Sequence, residues 1–220
     1  MSDIKLAVFD CDGTLSDGQA GVVSAMQRAF AEVGAPPPSP HHIRRIVGLS
    51  LPQAVRQLMT EAREVDRQLV VEAYKREFRA SREEGRLREP LFEGISHLLH
   101  ELHAGSWTLG VCTGKSDRGL NATLAANGLT ELFATLHTAD RHPSKPHPAM
   151  LRAAMEDALA DPANTVMIGD TVYDIEMAKT AGVRAIGVAW GYHRAEELLA
   201  AGAEGVAETT LELQEMLDAR

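Results

Sequence analysis

The first apolar cluster of the chain is Leu6, Ala7, Val8 and Phe9, continuous and then cut off by charge and glycine, which predicts a short buried strand over roughly 4–10. The period then changes. Val22, Met26, Phe30 and Val33 share one helical face over roughly 18–34, and Gly34 with Pro36, Pro37 and Pro38 ends that helix. Residues 39–85 hold no strand pattern and predict further amphipathic helices over roughly 41–47, 51–62 and 64–84. From residue 94 helix and strand alternate: helix 94–104, strand 106–112, helix 117–127 and a short strand 134–138, all approximate bounds. Helix 147–159, strand 164–169, helix 172–181, strand 184–189 and a final helix of roughly 209–218 complete the series.

Such alternation predicts an α/β fold, a Rossmann-like parallel sheet core with helices on both faces. The helical block between the first strand and the rest predicts an inserted all-helical cap. The division expected is an α/β catalytic core of 1–16 and 89–220 with a helical cap of 17–88, hinged at about 15–19 and 85–91.

Composition changes this picture little. Hydrophobic residues at 45% and charged residues at 24% are ordinary for a globular chain of 220 residues. A net charge of −9 argues against nucleic-acid binding, which leaves a basic footprint. No apolar run reaches the length of a membrane span, and the N-terminal residues lack a secretory pattern, so the expectation is a cytoplasmic protein without a membrane partner. Cys11 and Cys112 form no metal or disulfide spacing, which suits a reducing compartment.

In an open parallel sheet, ligands bind beyond the carboxyl ends of the strands. Four segments place polar residues there: Phe9-Asp10-Cys11-Asp12-Gly13-Thr14, Cys112-Thr113-Gly114-Lys115, Ser144-Lys145-Pro146, and Gly169-Asp170-Thr171-Val172-Tyr173-Asp174. Taken singly, an aspartate after a strand is commonly a cap or turn former, and a lysine in a loop is commonly solvated. Together they suit phosphoryl transfer, which needs an in-line nucleophile, charge neutralisation and protonation of the leaving group. Asp10 can attack as a carboxylate, and Asp12, two residues on, can turn back to the same site as acid and base.

In order and spacing the four segments resemble the haloacid dehalogenase superfamily, in its phosphoglycolate phosphatase-like branch with an α-helical cap, over nearly the whole chain. The resemblance implies a phosphatase that hydrolyses a small phosphorylated metabolite, with phosphoglycolate the first candidate, through an aspartyl phosphate on Asp10. It implies Mg²⁺ on the Asp10 side chain, the Asp12 backbone carbonyl and the Asp170 side chain. Asp174 would hold a metal-bound water or orient Lys145. Thr113 and backbone amides near Cys11, Asp12 and Gly114 would bind phosphate oxygens, and Lys145 would neutralise charge. Arg44, Arg45 or backbone amides near Gly48, in the cap loop at 44–51, would meet the substrate's non-phosphate end, an arginine there favouring a carboxylate. Asp12 speaks against dehalogenation, which has no leaving group to protonate. Gly169-Asp170-Thr171 stands where β-phosphoglucomutases typically carry Glu-Asp-Ser. Mutase-like phosphoryl transfer and a non-catalytic phosphate-binding relative are the alternatives, and a monomer or homodimer is expected.

Overall fold

The computed structural model describes residues 3–219; positions 1, 2 and 220 of the expected core bounds lie outside them. Six strands, β1 (Lys5–Phe9), β2 (Trp107–Thr113), β3 (Thr135–Thr138), β4 (Thr165–Gly169), β5 (Arg184–Val188) and β6 (Gly205–Ala207), form one parallel sheet in the order β3-β2-β1-β4-β5-β6. Apolar runs such as 6–9 and 166–168 have no polar alternation because both faces are covered. On one face lie α5 (Ile95–Ala104), α6 (Asp117–Ala126) and α10 (Thr210–Asp218), which bury Leu99, Leu120 and Leu213 against Phe9 and Val111. On the other lie α7 (Ala149–Ala158), α8 (Val172–Ala181) and α9 (Ala195–Ala201), which bury Leu151, Ile175 and Leu198 against Leu6, Val8 and Met167. No helix among the described residues is long and apolar enough to cross a membrane.

The chain winds outward from β1 to β3 on one side and from β4 to β6 on the other. β1 and β4 therefore flank the point where strand order reverses, with Phe9 opposite Ile168 at their carboxyl ends. Loops leaving the two strands diverge there and open a crevice.

Four helices, α1 (Gln19–Glu32), α2 (Pro40–Arg45), α3 (Leu51–Leu58) and α4 (Glu64–Glu83), intervene between β1 and α5. They bury Met26, Phe30, Ile43, Val55 and Val70 in a cluster of their own, joined by Tyr192 from the sheet side. The outgoing and returning chain run side by side: Ser16 bridges Leu91 in antiparallel sense, and the Asp17 amide donates to the Pro90 carbonyl at 2.8 Å. Two adjacent passes leave the block joined to the sheet by a narrow neck.

Two elements escaped the sequence pattern. α9 spans seven residues and β6 only three, Gly205-Val206-Ala207. Neither length displays a period, and β6 is recognisable only by its ladder to β5.

Candidate active site

β1 ends at Asp10, whose amide donates to the Ile168 carbonyl of β4 at 2.9 Å. This bond carries the Asp10 side chain into the crevice. The chain then turns tightly, with Leu15 and Ser16 amides both donating to the Cys11 carbonyl at 3.0 Å. Gly13 takes φ +91° within that turn, and a Cβ there would lie 2.3 Å from Asp170 Oδ2. Only glycine allows the β1 and β4 loops to come this close.

Asp10, Asp170 and Asp174 are buried, and one carboxylate oxygen from each lies within 4.8 Å of the others. Lys145 is fully buried among them, with Nζ 2.9 Å from Asp10 Oδ1 and 2.6 Å from Asp174 Oδ1. Each carboxylate is fixed from behind. Asp170 accepts from Thr14 Oγ1 at 2.8 Å and from the Tyr192 amide at 2.9 Å. Asp174 accepts from Thr171 Oγ1 at 2.7 Å and the Thr171 amide at 3.1 Å, closing the first turn of α8. Asp10 Oδ1 also takes the Cys11 amide at 2.6 Å, whereas Asp10 Oδ2 is buried with no hydrogen-bond partner among the described residues.

Burial pushes the Asp10 carboxyl up to about 7, against the pull of Lys145. Burial and then the neighbouring Asp10 and Asp174 raise Asp170 as well. Three buried carboxylates facing one lysine leave negative charge uncompensated. An oxygen-ligated divalent cation fits this set, because its charge would relieve the crowding of three buried carboxylates. Asp12 contributes no side-chain oxygen to the cluster.

The Asp12 carboxylate turns instead to Lys115, whose Nζ lies 2.7 Å from Asp12 Oδ1 and 2.7 Å from Glu89 Oε1. Glu89 sits on the returning chain pass and also takes Arg82 of α4 at 2.6 Å. Burial pushes Glu89 up, but Lys115 and Arg82 prevail and hold it below the usual carboxylate range. Burial pulls Lys115 down, but Asp12 and Glu89 outweigh it and raise its affinity for the proton. The sequence pattern gave no role to Lys115 or Glu89. Lys115 does follow Thr113-Gly114 at a strand end, the one signal that pointed to it.

Asp10, Asp12, Thr113, Gly114 and Lys115 form the floor of a cavity of about 520 Å³ roofed by α1, α3, α4 and the cap loop. Thr113 is buried, and Gly114 faces the carbonyls of Gly48 and Leu49 so closely that a Cβ would lie 2.5 Å from the latter.

The Cys11 side chain is wholly buried against Ser16, while its amide donates to Asp10 Oδ1 at 2.6 Å. The structure does not bring the two cap arginines to the cavity. Arg44 is exposed beside a separate shallow depression with Asp17 and Gln19. Arg45 pairs with Glu197 of α9 at 2.8 Å. The reason is helical spacing: Ile43, Ile46 and Val47 take the inward positions, which turns the intervening arginines away. Apolar side chains of Ile46, Val47 and Leu49 line the cavity where arginines were expected.

The chain matches the haloacid dehalogenase-like hydrolase family over residues 7–188. It belongs to that family. As a haloacid dehalogenase-like hydrolase it is 38% identical to "Probable phosphatase IndB" of Dickeya dadantii over 94% of this chain and 91% of the relative. It is 29% identical to a phosphoglycolate phosphatase of Vibrio parahaemolyticus, over 98% and 96% of the two chains. A haloacid dehalogenase-like hydrolase structure from Streptococcus pneumoniae superimposes with a TM-score of 0.85 at 25% identity, covering 98% of this chain and 99% of that one.

Proposed function

We propose that this haloacid dehalogenase-like hydrolase is a magnesium-dependent phosphomonoesterase that works through a phosphoryl group carried on Asp10. The observation that carries the reading is the unpartnered Asp10 Oδ2, held beside Lys145 on the floor of a cavity. Lys145 fixes Asp10 Oδ1, so the other oxygen is the one left to attack phosphorus. Attack by Oδ2 forms a bond to phosphorus as the ester oxygen leaves, and the proton for that oxygen comes from Asp12. Asp12 then takes a proton from the water that hydrolyses the aspartyl phosphate. Thr113 and the Gly114 amide lie where they can hold phosphoryl oxygens, and Lys145 offsets their charge.

The Asp10 and Asp170 side chains and the Asp12 backbone carbonyl would hold Mg²⁺, with Asp174 orienting Lys145. When bound, the ion supplies positive charge to the phosphoryl oxygens and to the crowded carboxylates. Lys115 orients Asp12, and Glu89 and Arg82 tie Lys115 to the helical block. Residues 17–88 act as the cap over the core of 1–16 and 89–220 and exclude water when closed on it. Hydrolysis is favoured over mutase-like transfer by the fourth strand end, where Asp174 packs so near Gly169 that a Cβ would lie 2.4 Å from its side chain. A glutamate there would displace Asp174. Phosphoglycolate loses the two arginines expected to hold its carboxylate.

Acid quenching of the enzyme during turnover of acetyl phosphate with Mg²⁺ should leave a phosphoryl group on the peptide containing Asp10, read by mass spectrometry. An unmodified peptide during steady hydrolysis would remove Asp10 as the nucleophile. Mg²⁺ should also raise Tm of metal-stripped protein, because it binds only the folded carboxylate cluster. Asp170→Asn should abolish that rise, and activity should vanish in EDTA and return with Mg²⁺ but not Ca²⁺, whose looser coordination draws Asp10 away from in-line attack. An unchanged Tm, or full activity in EDTA, is the contrary result.

A further inference from the structure

The cavity is much larger than a two-carbon acid needs. Its volume of about 520 Å³ lies within the range of about 300–1,000 Å³ typical of sites for drug-sized ligands. The cap loop lines its roof with Ile46, Val47 and Leu49, apolar surface that such a small acid leaves unfilled.

Tyr74 and Phe78 lie one turn apart on α4 and present a stacked ring pair to the cavity, centroids 5.4 Å apart and 21° from parallel. The Phe78 ring centroid is 5.8 Å from Lys115 Nζ, the group that holds Asp12. The rings therefore flank the side of the site where a leaving group departs. A flat or apolar face packed there would be dehydrated on both sides.

The cations around the same cavity fall into two sets. Lys75, Arg82 and Lys115 are each neutralised by a carboxylate, Glu72 at 2.9 Å, Glu89 at 2.6 Å and Asp12 at 2.7 Å respectively. Arg79 of α4 and Arg118 of α6 also line the cavity and are exposed, and their side chains make no ion pair or hydrogen bond among the described residues. One comes from the cap and the other from the core, so both border the mouth of a cavity whose floor is Asp10. Asp140, which also lines the cavity, accepts the Asp117 amide at 2.8 Å.

We infer that the natural substrate is a phosphomonoester with a ring-sized leaving group, one apolar face of which packs on Tyr74 and Phe78, and with a second anionic group that Arg79 and Arg118 receive at the mouth. This rests on the phosphatase reading and narrows it. Phosphoglycolate carries the anion but not the body. A neutral sugar phosphate carries the body but not the anion.

The test compares kcat/KM, with Mg²⁺, for acetyl phosphate, phosphoglycolate, benzyl phosphate and 4-carboxybenzyl phosphate. The two benzyl esters share a ring and a primary alkoxide and differ in the remote charge. Benzyl phosphate should exceed phosphoglycolate by about tenfold or more, the scale of burying a ring face. The carboxylated ester should exceed benzyl phosphate by about tenfold, the scale of a charge-assisted contact. In Arg79→Met with Arg118→Met, kcat/KM for the carboxylated ester should fall about tenfold further than for benzyl phosphate. Both arginines are exposed and unpartnered, so the double variant should fold. Equal losses on the two benzyl esters, or phosphoglycolate as the best of the four, would overturn the inference. Hydrolysis of acetyl phosphate and phosphoglycolate with no turnover of either ring ester overturns it while the phosphatase reading stands. Hydrolysis of none of the four removes the phosphatase reading and this inference with it.

Discussion

Asp10→Asn should lose several orders of magnitude in kcat and yet be no less stable than the parent protein. The loss follows from chemistry, because an amide cannot attack phosphorus as a carboxylate does, and removal of a covalent nucleophile leaves only binding and charge stabilisation. The stability follows from crowding. Asp10 shares a dry site with Asp170 and Asp174, and burial raises its carboxyl from 3.8 to about 7. A folded-state value above the unfolded one means that metal-free protein binds an extra proton on folding across this interval. Stability is therefore fully present below pH about 4 and is lost as pH rises through about 7. Asparagine has no proton to lose. In EDTA the variant should match the parent near pH 4 and exceed its Tm at pH 8, measured by thermal melts across that range. A tenth of parental kcat in a well-folded variant would exclude Asp10 as the nucleophile, and a lower Tm at pH 8 would exclude the crowding account.

Asp12→Asn should cost about 10²–10⁴ in turnover of alkyl phosphates, the usual contribution of a general acid–base group. p-Nitrophenolate leaves without a proton, so rapid-quench phosphorylation by p-nitrophenyl phosphate should lose far less. Lys115 adds a second arm. Its Nζ holds Asp12 at 2.7 Å, so Lys115→Met should show the same bias toward poor leaving groups at smaller amplitude, and Lys115→Arg should recover part of it. Equal losses for both leaving groups in Asp12→Asn would refute the acid role. The bias in Asp12→Asn but not in Lys115→Met would reduce Lys115 to packing.

Much of this was written in the order of residues. The alternation after residue 94 determined a parallel α/β sheet, because strands buried on both faces and amphipathic helices have different, local signatures. The same sequence put Asp10, Thr113, Lys145 and Asp170 at or beyond strand ends, and a parallel sheet brings all such ends to one edge. Those residues could be named without coordinates because topology alone gathers them. Other facts depend on which side of a helix or loop meets a neighbour distant in sequence. Arg44 and Arg45 looked like recognition residues, yet the inward register of Ile43, Ile46 and Val47 turns them away, and Glu197, 152 residues on, captures one of them. Lys115 and Glu89 carry no motif of their own. They meet because the returning pass of the helical block crosses the end of β2, and burial then leaves their charges no solvent and only each other, Asp12 and Arg82 as partners. Local pattern determined the chemistry of the floor; the roof and the groups that orient Asp12 were decided by packing between segments whose separation no short-range period records.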